Sequence, residues 1–276
     1  MVSHPQKSSP NPLVSNLKRQ VKRLLYPRRT QLYCVGTAKS GTHSIAAIFD
    51  DSVRSQHEAG GEEAIDRILA FHAGNLTQEE LKQYVRKRSK QLYLEIDASQ
   101  VNYYFLEILL EEFPKAKFLI TIRDCYSWLD SFINDSLRRE TSPKWIKFRN
   151  LRFQANTLTH PSEEKVLQEN GLYTLDGYLS YWASHNQKVL STVPTERLMV
   201  VKTKEITNKA YEICEFAGFP SSVLRVDRSH RFKNPKKYGI LQQIDREYLT
   251  SKVDRHCQEL MEKFFPNIKT LEDAGL

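Results

Sequence analysis

No apolar run in this sequence approaches the ~20 residues that a membrane-spanning helix needs; Phe118 to Ile120 is typical of its longest ones. Cysteine is scarce. The four present, Cys34, Cys125, Cys214 and Cys257, are scattered without CxxC spacing, which leaves no basis for a disulfide framework or a zinc site. Residues Met1 to Pro12 are polar and proline-containing, and no apolar stretch follows them, so a secretory signal is not expected and cytoplasm is the economical location. The middle of the chain has no Pro- or Ser-rich linker and no internal repeat. Within 276 residues this predicts one domain, residues 30–276, behind a basic N-terminal segment, residues 1–29. The excess of cations, a formal charge of +8, favours anionic partners.

What is present is a phosphate cradle. Tyr33, Cys34 and Val35 form a short apolar run that ends at Gly36, crosses the small-residue loop Thr37-Ala38-Lys39-Ser40-Gly41-Thr42, and opens into His43, Ser44 and an amphipathic segment from Ser44 to Phe49. Strand, loop and helix in that order point backbone N–H groups and the positive end of a helix at one spot. In a nucleoside-triphosphate P-loop the lysine follows the second glycine, a place occupied here by Thr42. Lys39 instead sits two residues before Gly41. A second stretch, Pro114 to Asp124, reads as a turn, a buried strand and Arg123 at the strand's C-terminal end, with Ser131 eight residues beyond it. In an open parallel sheet that end is where ligands bind.

Along the rest of the chain, Lys18, Arg19, Lys22, Arg23, Arg28 and Arg29 flank Leu17, Val21, Leu24 and Leu25 at helical spacing. This fits a first helix packed on its own domain, or a basic amphipathic helix touching a membrane surface or an acidic partner. Val53 to His57 reads as a second strand, Glu62 to Phe71 as a helix, and Thr77-Gln78-Glu79-Glu80 as a capping box that opens another. Leu92 to Ile96 is expected as strand three, Lys117 to Ile122 as strand four and Arg197 to Val201 as strand five. Helices are expected after Asp97-Ala98-Ser99, after strand four, over Leu175 to Leu190, over Tyr211 to Ala217, and near the C-terminus. Between Arg138 and Phe153 the periodicity weakens and Arg138, Arg139, Lys144, Lys147, Arg149 and Arg152 alternate with aromatics, which predicts a loop facing an acceptor. Strands alternating with helices imply an α/β fold with a central parallel sheet of about five strands.

The loop Lys39-Ser40-Gly41-Thr42 resembles the K-S-G-T loop of sulfotransferases, and Arg123 and Ser131 match the family's arginine and serine in spacing. The segments from Tyr181 to Ile206 and from Ala210 to Pro220 look like the family's long helix, following strand and later helix, so the resemblance covers about Tyr33 to Tyr238. It implies a P-loop NTPase-like sulfotransferase architecture and a donor, 3'-phosphoadenosine 5'-phosphosulfate. By the same resemblance, residues Thr37 to Ser44 would hold the 5'-phosphosulfate, Arg123 and Ser131 the 3'-phosphate, and no metal is needed. The family's C-terminal phosphate-binding segment survives loosely as Lys236, Lys237, Tyr238 and Gly239, with Lys233 nearby. Ser44 stands where cytosolic members place an adenine-stacking aromatic, and Cys125 replaces the usual proline.

Transfer to a hydroxyl or amine needs a cation at the bridging oxygen, for which Lys39 is suited, and a base. Glu58, beside His57, matches the carboxylate base of the glycan- and tyrosyl-modifying members; Asp97 is the second candidate. The expected acceptor is an anionic small molecule or glycan. Two other classes remain in view: a P-loop kinase or nucleotide hydrolase, and, on charge and the Trp145 to Arg152 stretch, a nucleic-acid-binding protein.

Overall fold

A computed structural model describes residues 26–230 and 236–276. Its centre is a five-stranded sheet in the order β2-β3-β1-β4-β5, every pairing parallel. The strands are β1 Leu32–Cys34, β2 Ser55–His57, β3 Ile96–Ala98, β4 Lys117–Ile122 and β5 Leu198–Lys202. β1 and β3 are buried on both faces and β4 is buried from Phe118 onward, as a parallel sheet covered by helices requires. One face packs beneath Ile45, Ile48, Ile213 and Cys214, and the other beneath Ile65, Leu81, Phe105 and Val189. Because every strand runs the same way, the chain leaves all five at one edge, and the functional loops gather there.

The helices are α1 Thr42–Ala47, α2 Gly61–His72, α3 Gln78–Leu92, α4 Leu106–Glu112, α5 Cys125–Arg138, α6 Pro143–Arg152, α7 Lys165–Glu169, α8 Leu175–Thr192, α9 Ala210–Ala217 and α10 Arg246–Phe264. Around α5 and α8 a large aromatic core forms, with Trp128, Phe132, Phe153, Tyr178 and Trp182 fully or nearly buried. None of the described helices is long and apolar enough to cross a membrane. The basic stretch from Leu17 to Leu25 lies outside the described residues, as does Lys233. Arg28 and Arg29 are described and tie into the domain: Arg28 donates to the Ser89 carbonyl at 2.8 Å, and Arg29 Nε to the buried Glu95 carboxylate at 2.7 Å.

The structure corrects two expectations. Strand three spans Ile96–Ala98 rather than Leu92 to Ile96. The reciprocal capping box of Thr77 and Glu80 starts α3 so firmly that it continues through Leu92, and Tyr93 closes it in the left-handed region at φ 51°. Residues 143–152, expected as a loop, form α6, with Ser142 capping the Trp145 amide and Pro143 opening the first turn. Cations spaced around the whole helix hid its period, since its inward positions, Phe148 and Arg152, are one aromatic and one charge.

Asp97 on β3 is 6% exposed and faces Arg88 of α3, which donates to both carboxylate oxygens and also to the Ala59 carbonyl at 2.8 Å. Arg88→Ala leaves that carboxylate buried and unpaired. The expected loss of stability is about 3–5 kcal/mol, read as a lowered urea midpoint with unchanged m-value.

Candidate active site

The loop after β1 is shaped by a close approach. A Cβ on Gly36 would stand 2.2 Å from Thr121 Oγ1 and 2.7 Å from Ser40 Oγ, so only glycine fits. Ser40 Oγ then donates to the Thr37 carbonyl at 2.7 Å and pairs with Thr121 Oγ1 at 2.7 Å, while Thr203 Oγ1 beyond β5 donates to the Ser40 carbonyl. Thr37, Ser40 and Thr42 are therefore buried, and the Ser40 hydroxyl holds the loop together. The Thr42 hydroxyl lies 3.2 Å from His57 Nε2. Lys39 adopts φ 65° and Gly41 φ 108°; Gly41 caps α1 with no side-chain bond. Ala38 takes the Trp128 indole N–H on its carbonyl at 2.8 Å, which fastens the loop to α5.

Lys39 Nζ reaches Asp135 Oδ1 on α5 at 3.2 Å, an ion pair with a quarter or less of either side chain exposed. Burial lowers the Lys39 pKa, and Asp135 opposes that shift. Asp135 also receives Arg138 at 3.2 Å and Arg139 at 3.4 Å, so these two cations gather around the lysine's partner instead of extending over the site. Arg123, at the end of β4, donates through Nε to Ser127 Oγ at 2.9 Å and through Nη1 to the Lys39 carbonyl at 3.4 Å. Its own carbonyl is fixed by the Trp182 indole at 3.0 Å. Ser127, Ser131 and Asp135 are four residues apart on α5 and therefore share one face, a ridge running from Arg123 to Lys39. Ser131 is half-buried at its middle. On a neighbouring face Lys237 pairs with Asp130 and the Tyr238 amide donates to Asn134 Oδ1 at 2.8 Å, while Lys236 lies over the Tyr238 ring, 4.5 Å from its centroid. The C-terminal basic segment thus docks on the helix that carries Ser131, with Lys237 already paired and Gly239 turning the chain at φ 63°.

Glu58 follows β2 at φ 54°, held by its amide donating to the Ala98 carbonyl at 3.1 Å. Oε1 accepts from the Gln100 amide at 3.3 Å, and Oε2 is buried with no partner. Burial pushes the carboxyl above its ordinary range, opposed by the Gln100 bond and the charge of Arg152. His57 stacks on His43 with centroids 4.5 Å apart and is depressed to about 4 by burial and by the neighbouring His43 and Lys39, so it is neutral near pH 7. Its 3.9 Å approach to Glu58 is then no ion pair at that pH. Asp97, one strand away, is occupied by Arg88.

Comparisons with known proteins bear on the family and the fold. A sequence model described as a sulfotransferase domain matches residues 31–234, most of the chain. The chain belongs to the sulfotransferase family. It is thus an enzyme, a transferase. Among curated proteins no sequence relative matches it. A sulfotransferase of Mycobacterium avium, STF9, has a similar structure at 13% identity, covering 94% of this chain and 82% of that one with a TM-score of 0.52. One from Alicyclobacillus acidocaldarius is 17% identical and covers 85% of this chain and 95% of its own, with a TM-score of 0.46. The five-stranded parallel sheet of this sulfotransferase is the architecture that the loop and strand motifs predict.

Sequence reasoning missed Ser127, Asp135 and Thr203, which respectively engage Arg123, Lys39 and the loop. The first two were signalled by the spacing of four residues on either side of Ser131.

A raised Glu58 pKa has a stability consequence. Between the unfolded and folded values the native state holds more protons, so stability falls as pH rises through that window. Glu58→Gln, which mimics the neutral form, should raise Tm at pH 7. That gain should vanish at pH 3, where both states carry the proton. A lower Tm at pH 7 would mean that the carboxylate is a stabilising anion instead.

Proposed function

We propose that this sulfotransferase moves the sulfuryl group of 3'-phosphoadenosine 5'-phosphosulfate to a hydroxyl or amine. The observation that carries this reading is the meeting of Lys39 and Arg123, which come from separate stretches of sequence and whose loops touch at 3.4 Å. Their cations bracket the Ser127-Ser131-Asp135 ridge, so a nucleotide with two phosphate groups can be gripped at both ends. A triphosphate P-loop would need its lysine where Thr42 stands.

In this reading residues Thr37 to Ser44 surround the 5'-phosphosulfate. Arg123 and Ser131 engage the 3'-phosphate, and the segment from Lys236 to Gly239 closes over it. Lys39 exchanges Asp135 for the nucleotide. Glu58 accepts the proton of the acceptor O–H as its oxygen bonds to sulfur; the S–O bond to the bridging oxygen breaks, and Lys39 balances the charge left on that oxygen. Glu58 suits a base because Oε2 is unpartnered, whereas both Asp97 oxygens bind Arg88. The positive charge of the molecule favours an anionic acceptor.

Calorimetry should find 3',5'-bisphosphoadenosine binding more tightly than 5'-AMP, and Arg123→Ala should erase most of the difference, about 1.5–3 kcal/mol for a charged hydrogen bond. Equal affinities, or a preference for magnesium-ATP, would sink the donor assignment. Lys39→Ala should lower turnover by far more than it weakens nucleotide binding. The acid limb of the kcat/KM profile should lie above the ordinary carboxylate range and disappear in Glu58→Gln.

A further inference from the structure

Around the inward face of α6, several buried polar atoms have no partner. Arg152, at the end of α6, is 6% exposed. Its guanidinium lies 4.5 Å from the Phe148 ring centroid and 4.8 Å from that of Tyr181, and Tyr104 contributes a hydrogen-bonding phenol, yet Nε and Nη2 remain unpaired. Among the described residues no carboxylate forms an ion pair with it. Tyr181, 5% exposed, has an unpartnered hydroxyl. His185, fully buried and neutral, spends Nε2–H on the Val35 carbonyl at 2.7 Å, so Nδ1 is a free acceptor. Its ring stacks on Tyr103 with centroids 3.9 Å apart.

These groups are in continuous contact, from the buried Tyr181 and His185 out to the half-buried Trp145. Tyr181 and His185 rings lie 5.4 Å apart, Phe148 contacts Trp145 at 5.8 Å, and Trp145 reaches the corner where Glu58 Oε2 faces Gly61. The Glu58 charge acts on both Arg152 and Tyr181. A fold whose other buried cation, Arg88, has a full carboxylate partner has left this one without. Aromatic faces compensate a desolvated cation only in part, and unsatisfied buried groups destabilise a protein unless a ligand completes them.

We propose that this interior is the acceptor site and that the acceptor carries an oxyanion, held by the Arg152 guanidinium and the Tyr181 phenol, beside the hydroxyl whose proton Glu58 takes. This rests on the sulfotransferase reading of Glu58 and narrows it. The anion is received by one interior arginine, not by the basic surface of α6: Lys144 there pairs with Asp66 at 2.8 Å, and Arg149 lies 5.3 Å from the Phe132 ring centroid. Aromatic faces around a forked cation match the chemistry of a ring bearing a carboxylate, sulfate or phosphate.

The test titrates protein saturated with 3',5'-bisphosphoadenosine with benzoate, phenyl sulfate, phenyl phosphate and the neutral isostere benzamide, reading affinity by calorimetry and Tm by scanning. At least one anion should bind about tenfold or more tightly than benzamide and raise Tm, and the panel tells which anion is preferred. Arg152→Met should abolish that preference while leaving the affinity for 3',5'-bisphosphoadenosine unchanged, because Nε and Nη2 are the groups offered to the anion. Tyr181→Phe deletes only a hydroxyl and should weaken anion binding several-fold with no loss of Tm, which keeps the proposal testable if Arg152→Met does not fold. A structural role for the pair predicts the reverse: lowered Tm in Tyr181→Phe and anion binding unchanged. That result, or wild-type protein binding all four probes alike, overturns the proposal. Failure of 3',5'-bisphosphoadenosine to bind would instead indict the donor assignment, and the anion preference would then be read on the nucleotide-free protein.

Discussion

The arrangement depends on one approach, that of the β1 loop to the end of β4. β1 and β4 are neighbours at the centre of the sheet, and the chain leaving Val35 runs so close to Thr121 that residue 36 has no room for a Cβ. Once Gly36 lets the backbones meet, Ser40 bonds Thr121, Thr203 closes on Ser40 from β5, and the loop is pinned to two other strands. A loop fixed that way directs Lys39 toward α5, the helix that begins where β4 ends. The positions of Lys39 and Arg123 relative to each other thus follow from strand order and one missing methyl group.

Electrostatics divide the site into two unlike halves. On the α5 side, cations and anions are interleaved: Lys39 with Asp135, Arg123 with Ser127 and its Asp124 partner, Lys237 with Asp130. The lysines of these pairs keep part of their side chains in solvent, whereas Asp124, Ser127 and Asp130 are buried. On the α6 side the surroundings are aromatic and the polar groups sparse, so each unpaired atom weighs more. Glu58 lies between the halves, its carboxyl raised by burial, with a neutral imidazole for a neighbour. Burial supplies that shift, and in the proposed reaction a carboxylate of raised pKa is a better proton acceptor once ionised.

Much of this was legible in the sequence. The loop from Gly36 to Thr42 and the strand from Lys117 to Ile122 stand where turn chemistry and apolar runs put them, because both are local signals. The helix Leu175–Thr192 was equally plain, with apolar positions at helical spacing and Pro194 just past its end. Strand three was misjudged by several residues, since Leu92 and Leu94 satisfy either a helix end or a strand start and only packing decides. α6 was invisible for a different reason: its inward face includes an arginine, which any hydrophobic pattern counts as surface. The partners of the candidate residues, Asp135 for Lys39 and Arg88 for Asp97, lie far away in sequence and became identifiable only when the sheet brought their helices together.

Lys39 and Glu58 share a backbone feature with a consequence for how such a site persists. Both are non-glycine residues in the left-handed region, at φ 65° and φ 54°. Each conformation costs on the order of 1 kcal/mol that glycine would not incur. Random variation screened for thermal robustness alone would therefore tend to replace both by glycine and lose the lysine ammonium and the carboxylate together. In a laboratory lineage, glycine appearing at residue 39 or 58 would mark selection for stability acting without selection for either side chain.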